Sequence, residues 1–381
     1  MSGRGGAGGR GGPAGPPAKV SNLDGAAPDS TDFANYFCTY AYLYHQKDML
    51  EDHKRTGAYY NACMQNRAQF AGKVVLDVGT GSGILAIFAA KAGARKVYAV
   101  EATDMAKFAK RLVAAQGLEG TVEVIQGVIE SVDIPEKVDI IISEWMGYFL
   151  LRESMLDSVI VARDKFLKPG GSLYPSHARM FMAPIRSNLC RQRHSDFQNS
   201  MEGWAEFLDE MKQYYGVSMD CLSDEYRQEQ LDYFSKTAAW TDVHPSQVVG
   251  SAACFKAYDL HTVTLEELKA PLKASFQMRV LEDGPVDAFC GWFDTQFKGS
   301  EQNATTTEVT LSTAPDPTGA THWGQQSFFL HPPIECAEGD VLACDIEVVR
   351  RKDNQRLMDV LVRHRVEGRA GSERTSAFHI E

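Results

Sequence analysis

The sequence predicts a two-part chain: an α/β half built on a parallel sheet, then an antiparallel β half interrupted by a helical arm. Three observations carry this. Near-continuous Val/Ile runs alternate with helical stretches between residues 73 and 166, the pattern of strands buried on both faces beneath crossover helices. Beyond Tyr174-Pro175, shorter runs are separated by Gly, Pro, Asn and Asp turns, which reads as an antiparallel sandwich or barrel. Between Arg186 and Trp240 a charged, aromatic helical stretch interrupts the second pattern. An insertion of that kind is most often an arm or interaction element.

Taken in order, residues 1–30 form a tail, and its first twenty residues hold eight Gly, three Pro and no aromatic residue. Such a segment cannot bury enough surface to order itself. Gly3-Arg4-Gly5-Gly6 recurs there as Gly9-Arg10-Gly11-Gly12. From Asp32 the composition changes, and Tyr36, Tyr40 and Tyr44 fall at helical spacing. His45, Met49, Asp52, Arg55 and Tyr59 continue it, which predicts one helical face carrying a mixed polar stripe. Strands are expected at Lys73–Val78, Lys96–Glu101, Val122–Gln126 and Val138–Ser143, with helices at Ile84–Lys91, Met105–Gln116 and Ser154–Phe166. Residues 31–175 thus make the first domain and 176–381 the second, with the arm at about 187–235. In the second domain, strands are expected at Phe276–Leu281, Val286–Phe297, Glu308–Thr313, Gln326–Leu330, Val341–Arg350 and Arg356–Val366.

Composition narrows the function. With 381 residues, 44% hydrophobic and 23% charged, the chain has material for two or three ordinary domains. The longest apolar run, around Ile84–Ala90, is far below the ~20 residues a bilayer span needs, and no signal-peptide run follows Met1. The eight cysteines show no C-x-x-C pair and read as buried free thiols in a reducing compartment, without metal or disulfides. The expected setting is cytoplasmic and/or nuclear, with no membrane. The net charge of −11 repels phosphates, so direct nucleic-acid binding is disfavoured and a basic partner would suit. Solubility alone accounts for that charge as readily.

Two loops carry chemistry. Asp77-Val78-Gly79-Thr80-Gly81-Ser82-Gly83 lies between a strand and a helix, where glycines let a ligand approach the main chain. Glu101 ends the next strand, placed to accept ribose hydroxyls, so the pair points to an adenosine-containing ligand. The dinucleotide pattern needs Gly where Ile84 stands, which disfavours a dehydrogenase. Glu144 and Glu153 flank a Gly-containing loop after the fourth strand, at the sheet edge where ligands bind. Two anions there repel unless a cation or a shared proton lies between them. A planar guanidinium with five donors fits them well; capping or salt-bridging is the plainer alternative. His322, in Thr321-His322-Trp323, would by itself be read as structural.

Together these pieces resemble the protein arginine N-methyltransferases. The resemblance covers Tyr36 to Glu381. It rests on Tyr36-Phe37…Tyr40…His45…Met49-Leu50…Arg55, the loop from Val75 to Gly83, Glu101, the double-glutamate hairpin from Ser143 to Met155, and Thr321-His322-Trp323. The long arm looks like the plant branch of the family conventionally numbered ten. The resemblance implies a Rossmann-like class I methyltransferase domain with N-terminal helices, then a β-barrel carrying a helical dimerisation arm. It implies S-adenosyl-L-methionine as cofactor. Arg55 would pair with the cofactor carboxylate with His45 beside it, Gly79 and Gly81 would line its methionine and ribose with Asp77 in the same loop, and Glu101 would hold the ribose. Ile129 and Glu130 would read the adenine. Glu144 and Glu153 would clamp the substrate guanidinium, and Asp52 with His322 would relay its proton. Tyr40, Met49, Met155 and Trp323 would line the substrate site. The implied activity is mono- and asymmetric dimethylation (type I) of proteins with exposed arginine, such as histone tails and Arg-Gly-Gly segments, by a homodimer; Arg4 and Arg10 would be candidate self-substrates. The alternatives are a methyltransferase of the same fold acting on a small molecule or nucleic acid, and a non-catalytic cofactor-binding scaffold.

Overall fold

The computed structural model describes residues 40–380. The expected tail over 1–30 with Arg4 and Arg10, as well as Tyr36, Phe37 and Cys38, lies outside them.

The chain enters through helices α1 (Leu43–Glu51), α2 (His53–Met64) and α3 (Arg67–Phe70). The single helix expected from the spacing of the stripe is broken at Asp52. That residue has extended backbone (φ −68, ψ 91), and its side chain accepts the Arg55 N–H, making it the N-cap of α2. A short carboxylate satisfying an orphan helical donor is a strong local reason to start a new helix, and it takes the stripe off any single face.

Five strands follow: β1 (Val74–Val78), β2 (Lys96–Glu101), β3 (Val122–Gln126), β4 (Val138–Ile142) and β5 (Leu167–Tyr174), connected through α4 (Ile84–Lys91), α5 (Met105–Ala115) and α6 (Leu156–Phe166). They pair in parallel in the order β3-β2-β1-β4-β5. Every residue of β1 is buried, as a strand covered on both faces requires. Because the chain winds outward from β1 to β3 and then crosses back to β4, the direction reverses between β1 and β4. Their carboxyl ends open the crevice where such sheets bind ligands.

The second half holds an antiparallel sheet of β6 (His177–Ile185), β7 (Ala239–Thr241), β8 (Ala253–Asp259), β10 (Gly284–Gly299), β11 (Ala304–Ser312) and β12 (Gln325–Cys336), and a second of β9 (Leu272–Arg279), β13 (Val341–Arg350), β14 (Met358–Val366) and β15 (Arg374–Ile380). Lone bridges at Thr237–His379 and Gly250–Val280 join the two, and this is the barrel half. Between β6 and β7 run α7 (Asn188–Tyr215) and α8 (Ser223–Lys236), the arm. No residue of α7 is buried. The hairpin holds itself by Trp204 stacked on Tyr226 (ring centroids 4.2 Å apart) and by Trp204 Nε1 donating to Ser223 Oγ at 3.0 Å.

The halves share one core. Tyr59 of α2 meets Phe297 of β10 edge-on, and Asn66 exchanges two 2.9 Å hydrogen bonds with the Thr307 backbone of β11. Strands β5, β6, β7, β8 and β15 have no counterpart in the sequence reading. β5 pairs with β4 at Leu167 and again from Ser172, with a register shift at the Pro169-Gly170-Gly171 segment between. The expectation of buried thiols holds for Cys63, Cys290, Cys336 and Cys344, but Cys221 and Cys254 are exposed. Among the described residues, no helix is long and apolar enough to cross a membrane.

Candidate active site

The glycine loop after β1 is shaped by its own residues. Gly79, Gly81 and Gly83 take left-handed φ of 72, 56 and 89°, which cost glycine little. Asp77 lies fully buried beneath the loop, accepting Thr80 Oγ1 at 2.5 Å. Burial raises its pKa to about 7, against the opposing pull of the Thr80 hydrogen bond. It supports the loop from below and is not among the residues that line the cleft. Glu101 ties the loop to β2: one oxygen accepts the Gly81 N–H at 2.8 Å, the other the Thr103 N–H and hydroxyl at 2.9 and 2.7 Å.

Across the cleft stands the loop after β4. Glu144 Oε2 accepts Arg55 Nε and Nη2 at 3.1 and 2.8 Å, while Oε1 accepts the Met146 N–H at 3.2 Å. Burial alone would lower the Arg55 pKa, but the Glu144 carboxylate outweighs it and the guanidinium stays charged. The cation that two neighbouring acids demand is thus supplied in part from within the chain. Glu153 accepts the Tyr40 hydroxyl at 2.8 Å and Arg152 Nη1 at 3.4 Å.

The cleft between these loops has about 1110 Å³ of empty space, part of it open to solvent. Glu144, Glu153 and Glu101 all line it, together with Tyr40, Met49 and Arg55. So do Gly79, Gly81 and Met155, and so do Ile129 and Glu130 at the far end, where Ser158 Oγ donates to Glu130 at 2.7 Å.

Besides Asp77, four expected residues lie outside the cleft lining. His45 stacks on Tyr44 with centroids 4.1 Å apart, and Gln46 takes the cleft position instead, accepting the Ser82 N–H at 3.2 Å. The stripe put the wrong neighbour inward because the helix ends at Glu51. Trp323 is buried, its Nε1 donating to the Met146 carbonyl at 2.8 Å and its ring edge-on to Phe293, so it backs the glutamate loop from the core. Asp52 and His322 do meet, Oδ2 to Nδ1 at 2.7 Å and Oδ2 to the His322 N–H at 2.9 Å, outside the cleft lining. Burial pushes the Asp52 carboxyl up, but the hydrogen bonds from His322 and Arg55 prevail and hold it at about 2. Besides Gln46, sequence reasoning missed Arg356, which enters the cleft from the turn between β13 and β14. Its only signal was a polar turn, Asp353-Asn354-Gln355, far from any motif.

A methyltransferase domain model matches residues 75–171, and the arginine methyltransferase oligomerization subdomain matches residues 176–369. The chain is 56% identical to protein arginine N-methyltransferase PRMT10 of Oryza sativa subsp. japonica, over 86% of this chain and 87% of that one. Identity to PRMT10 of Arabidopsis thaliana is 48%, over 94% and 95%. The crystal structure of Arabidopsis thaliana protein arginine methyltransferase 10, in a uniquely open conformation, superposes with a TM-score of 0.87 at 49% identity, covering 91% of this chain and all of that one. The Trypanosoma brucei PRMT1 enzyme–prozyme heterotetrameric complex with AdoHcy gives a TM-score of 0.76 at 32% identity, over 90% of this chain and all of that one. A glycine loop and a double-glutamate loop facing one cleft, in a chain this similar over nearly its whole length, place this chain in the protein arginine N-methyltransferase family, in its plant PRMT10 branch.

Proposed function

We propose that the cleft takes S-adenosyl-L-methionine on the glycine-loop side and a protein arginine on the glutamate side, and that the products are mono- and asymmetric dimethylarginine. One observation carries this reading: two half-buried glutamates from one loop reach the same cleft as a bare glycine backbone and a strand-end carboxylate. The fit to the cofactor rests on that backbone. A Cβ at Gly79 would overlap the Met155 side chain, and one at Gly81 would sit 2.7 Å from Gln46 Oε1, so glycine keeps the floor open. Gly79 and Gly81 would line the cofactor, Glu101 would hold its ribose, Ile129 and Glu130 its adenine, and Arg55 its carboxylate. When bound, the cofactor supplies an activated methyl group on a sulfonium.

The chain's own residues do the rest. Glu144 and Glu153 fix the substrate guanidinium and draw its charge toward the nitrogen that does not react, leaving the other lone pair available. Orientation and charge placement supply the catalysis, with no covalent enzyme intermediate. Met49 and Met155 border the accepting nitrogen and favour the asymmetric product. Asp52, ionised, accepts from His322 Nδ1 and leaves Nε2 as the ring nitrogen able to take the product proton. The acidic chain suits basic substrates such as histone tails and Arg-Gly-Gly segments. The oligomerization-subdomain match and the relative assembled as a heterotetramer support a homodimer joined through the arm. The cysteine pattern, with no C-x-x-C pair, suits a reducing setting, cytoplasmic and/or nuclear.

The test is to incubate the full chain with S-adenosylmethionine and an Arg-Gly-Gly or histone-tail peptide and to identify the product isomer by mass spectrometry. Mono- and asymmetric dimethylarginine are expected, from a protein that light scattering sizes as a dimer. Symmetric dimethylarginine alone would overturn the product type, and no transfer to either peptide would overturn the substrate class.

A further inference from the structure

Among the described residues, four that are not glycine have left-handed backbone, and all four lie in the glutamate loop: Phe149 (φ 50°), Leu150 (68°), Glu153 (80°) and Ser154 (58°). Such conformations cost of order 1–3 kcal/mol each and persist only where the surroundings fix them. Phe149 and Leu150 are fixed by the core, with Phe149 packed on Phe255 and Phe328. Glu153 and Ser154 are only half-buried and need another hold.

The turn between β13 and β14 provides it. The Glu153 N–H donates to the Arg356 carbonyl at 2.9 Å, and Arg356 Nη1 donates back to the Glu153 carbonyl at 2.6 Å. Ser154 Oγ donates to the Gln355 carbonyl at 2.8 Å. Both peptide groups of Glu153 are thus held by one residue of the other half of the molecule. The turn is itself prebuilt: Arg351 forks onto Asp353 at 3.0 and 2.6 Å, and Asn354 Oδ1 accepts the Arg356 N–H at 2.9 Å. At the base of the same hairpin, Arg350 grips Asp157 with two bonds of 2.7 and 2.8 Å, just past the loop.

We propose that this turn is a positioning element for the reaction and that Arg356 sets the direction of the Glu153 carboxylate. The inference rests on the reading of Glu153 as part of the guanidinium clamp. Arg356 acts through Glu153, so its loss tilts one arm of the clamp and leaves the glycine-loop side of the cleft alone.

The experiment compares Arg356→Ala, Arg356→Lys, Ser154→Ala and Glu153→Gln in the full chain, with peptide kinetics, S-adenosylmethionine affinity by calorimetry, and thermal melting. Arg356→Ala is expected to lower kcat/KM for the peptide by on the order of 10²-fold, as for a clamp displaced by about 1 Å. Cofactor affinity and melting temperature should stay near wild type. Arg356→Lys should recover part of the loss, and Ser154→Ala should show a smaller loss of the same kind, which serves as the reading if Arg356→Ala does not fold. A wild-type rate in Arg356→Ala or Ser154→Ala would overturn the proposal, as would cofactor affinity and melting temperature falling in step with activity. Retained turnover in Glu153→Gln would instead sink the clamp reading beneath it; loss in Glu153→Gln with none in Arg356→Ala would sink the positioning role alone.

Discussion

The two loops that face the cleft reach unusual backbone by opposite routes. The glycine loop puts its left-handed residues at Gly79, Gly81 and Gly83, and closes on itself through the Thr80–Asp77 hydrogen bond and the Gly83 N–H to the Thr80 carbonyl. The glutamate loop puts them at Phe149, Leu150, Glu153 and Ser154, and relies on side chains from β8, β12 and a turn 203 residues further along. One conformation is written into local residue choice; the other is imposed by tertiary contacts. The difference suits the tasks proposed for them. A cofactor cradle needs bare main chain, whereas a clamp needs two carboxylates aimed at one point.

The sharpest way to break this contrast is to neutralise the clamp without touching the cradle. Glu144→Gln should reduce turnover by about 10²–10³-fold, the scale of removing a pre-aimed electrostatic partner, with a much smaller loss of cofactor affinity through Arg55, which Glu144 holds. A near-wild-type rate would mean Glu144 serves only Arg55. Next in size is a pair of glycine replacements. A Cβ at Gly147 would overlap the Arg152 carbonyl, and backbone cannot step aside; at Gly79 it meets the flexible end of Met155, and its left-handed φ of 72° adds a smaller strain of about 1 kcal/mol. Gly147→Ala should therefore cost about 1–3 kcal/mol of stability and most of the turnover. Gly79→Ala should melt nearer to wild type and lose mainly cofactor affinity. Thermal melts and calorimetry on both would reverse the argument if Gly79→Ala proved the less stable.

What could be read beforehand follows the same line. β1, β2 and β4 were legible because near-continuous apolar runs admit one environment, β3 from its Val and Ile residues although only Val122 is buried, and the glycine loop because its residues determine its shape locally. Glu144 and Glu153 were legible as types at a spacing, and the cleft does gather both. Gln46 was not, because its inward position depends on how α1 is set against α2 across the break at Asp52, which regular helical spacing does not reveal. Arg356 was invisible for a like reason: nothing near it in the chain marks the loop it holds. Trp323 and Asp77 carry the right residue types yet stand behind the loops they were expected to join, a distinction only packing makes.

The smallest effect separates two buried acids, Asp77 beneath the glycine loop and Asp52 at the start of α2. Asp77, raised to about 7 by burial, keeps its proton in the folded state while the unfolded carboxyl has lost it above about pH 4. Between those values the folded state binds the extra proton, so rising pH withdraws stability, and the loss is complete above about 7. Asp52, held at about 2, has the opposite sign: its contribution is full above about pH 4 and is lost as pH falls toward 2. Asp77→Asn removes only the first effect. Relative to wild type, its melting temperature should rise from about pH 5 to about pH 8, by a few degrees, with the acid limb unchanged. If wild type and Asp77→Asn instead kept a constant difference across that window, Asp77 would be ionised throughout. The cradle would then stand on a buried charge held by its surroundings, and the two loops would differ less in kind than their backbones suggest.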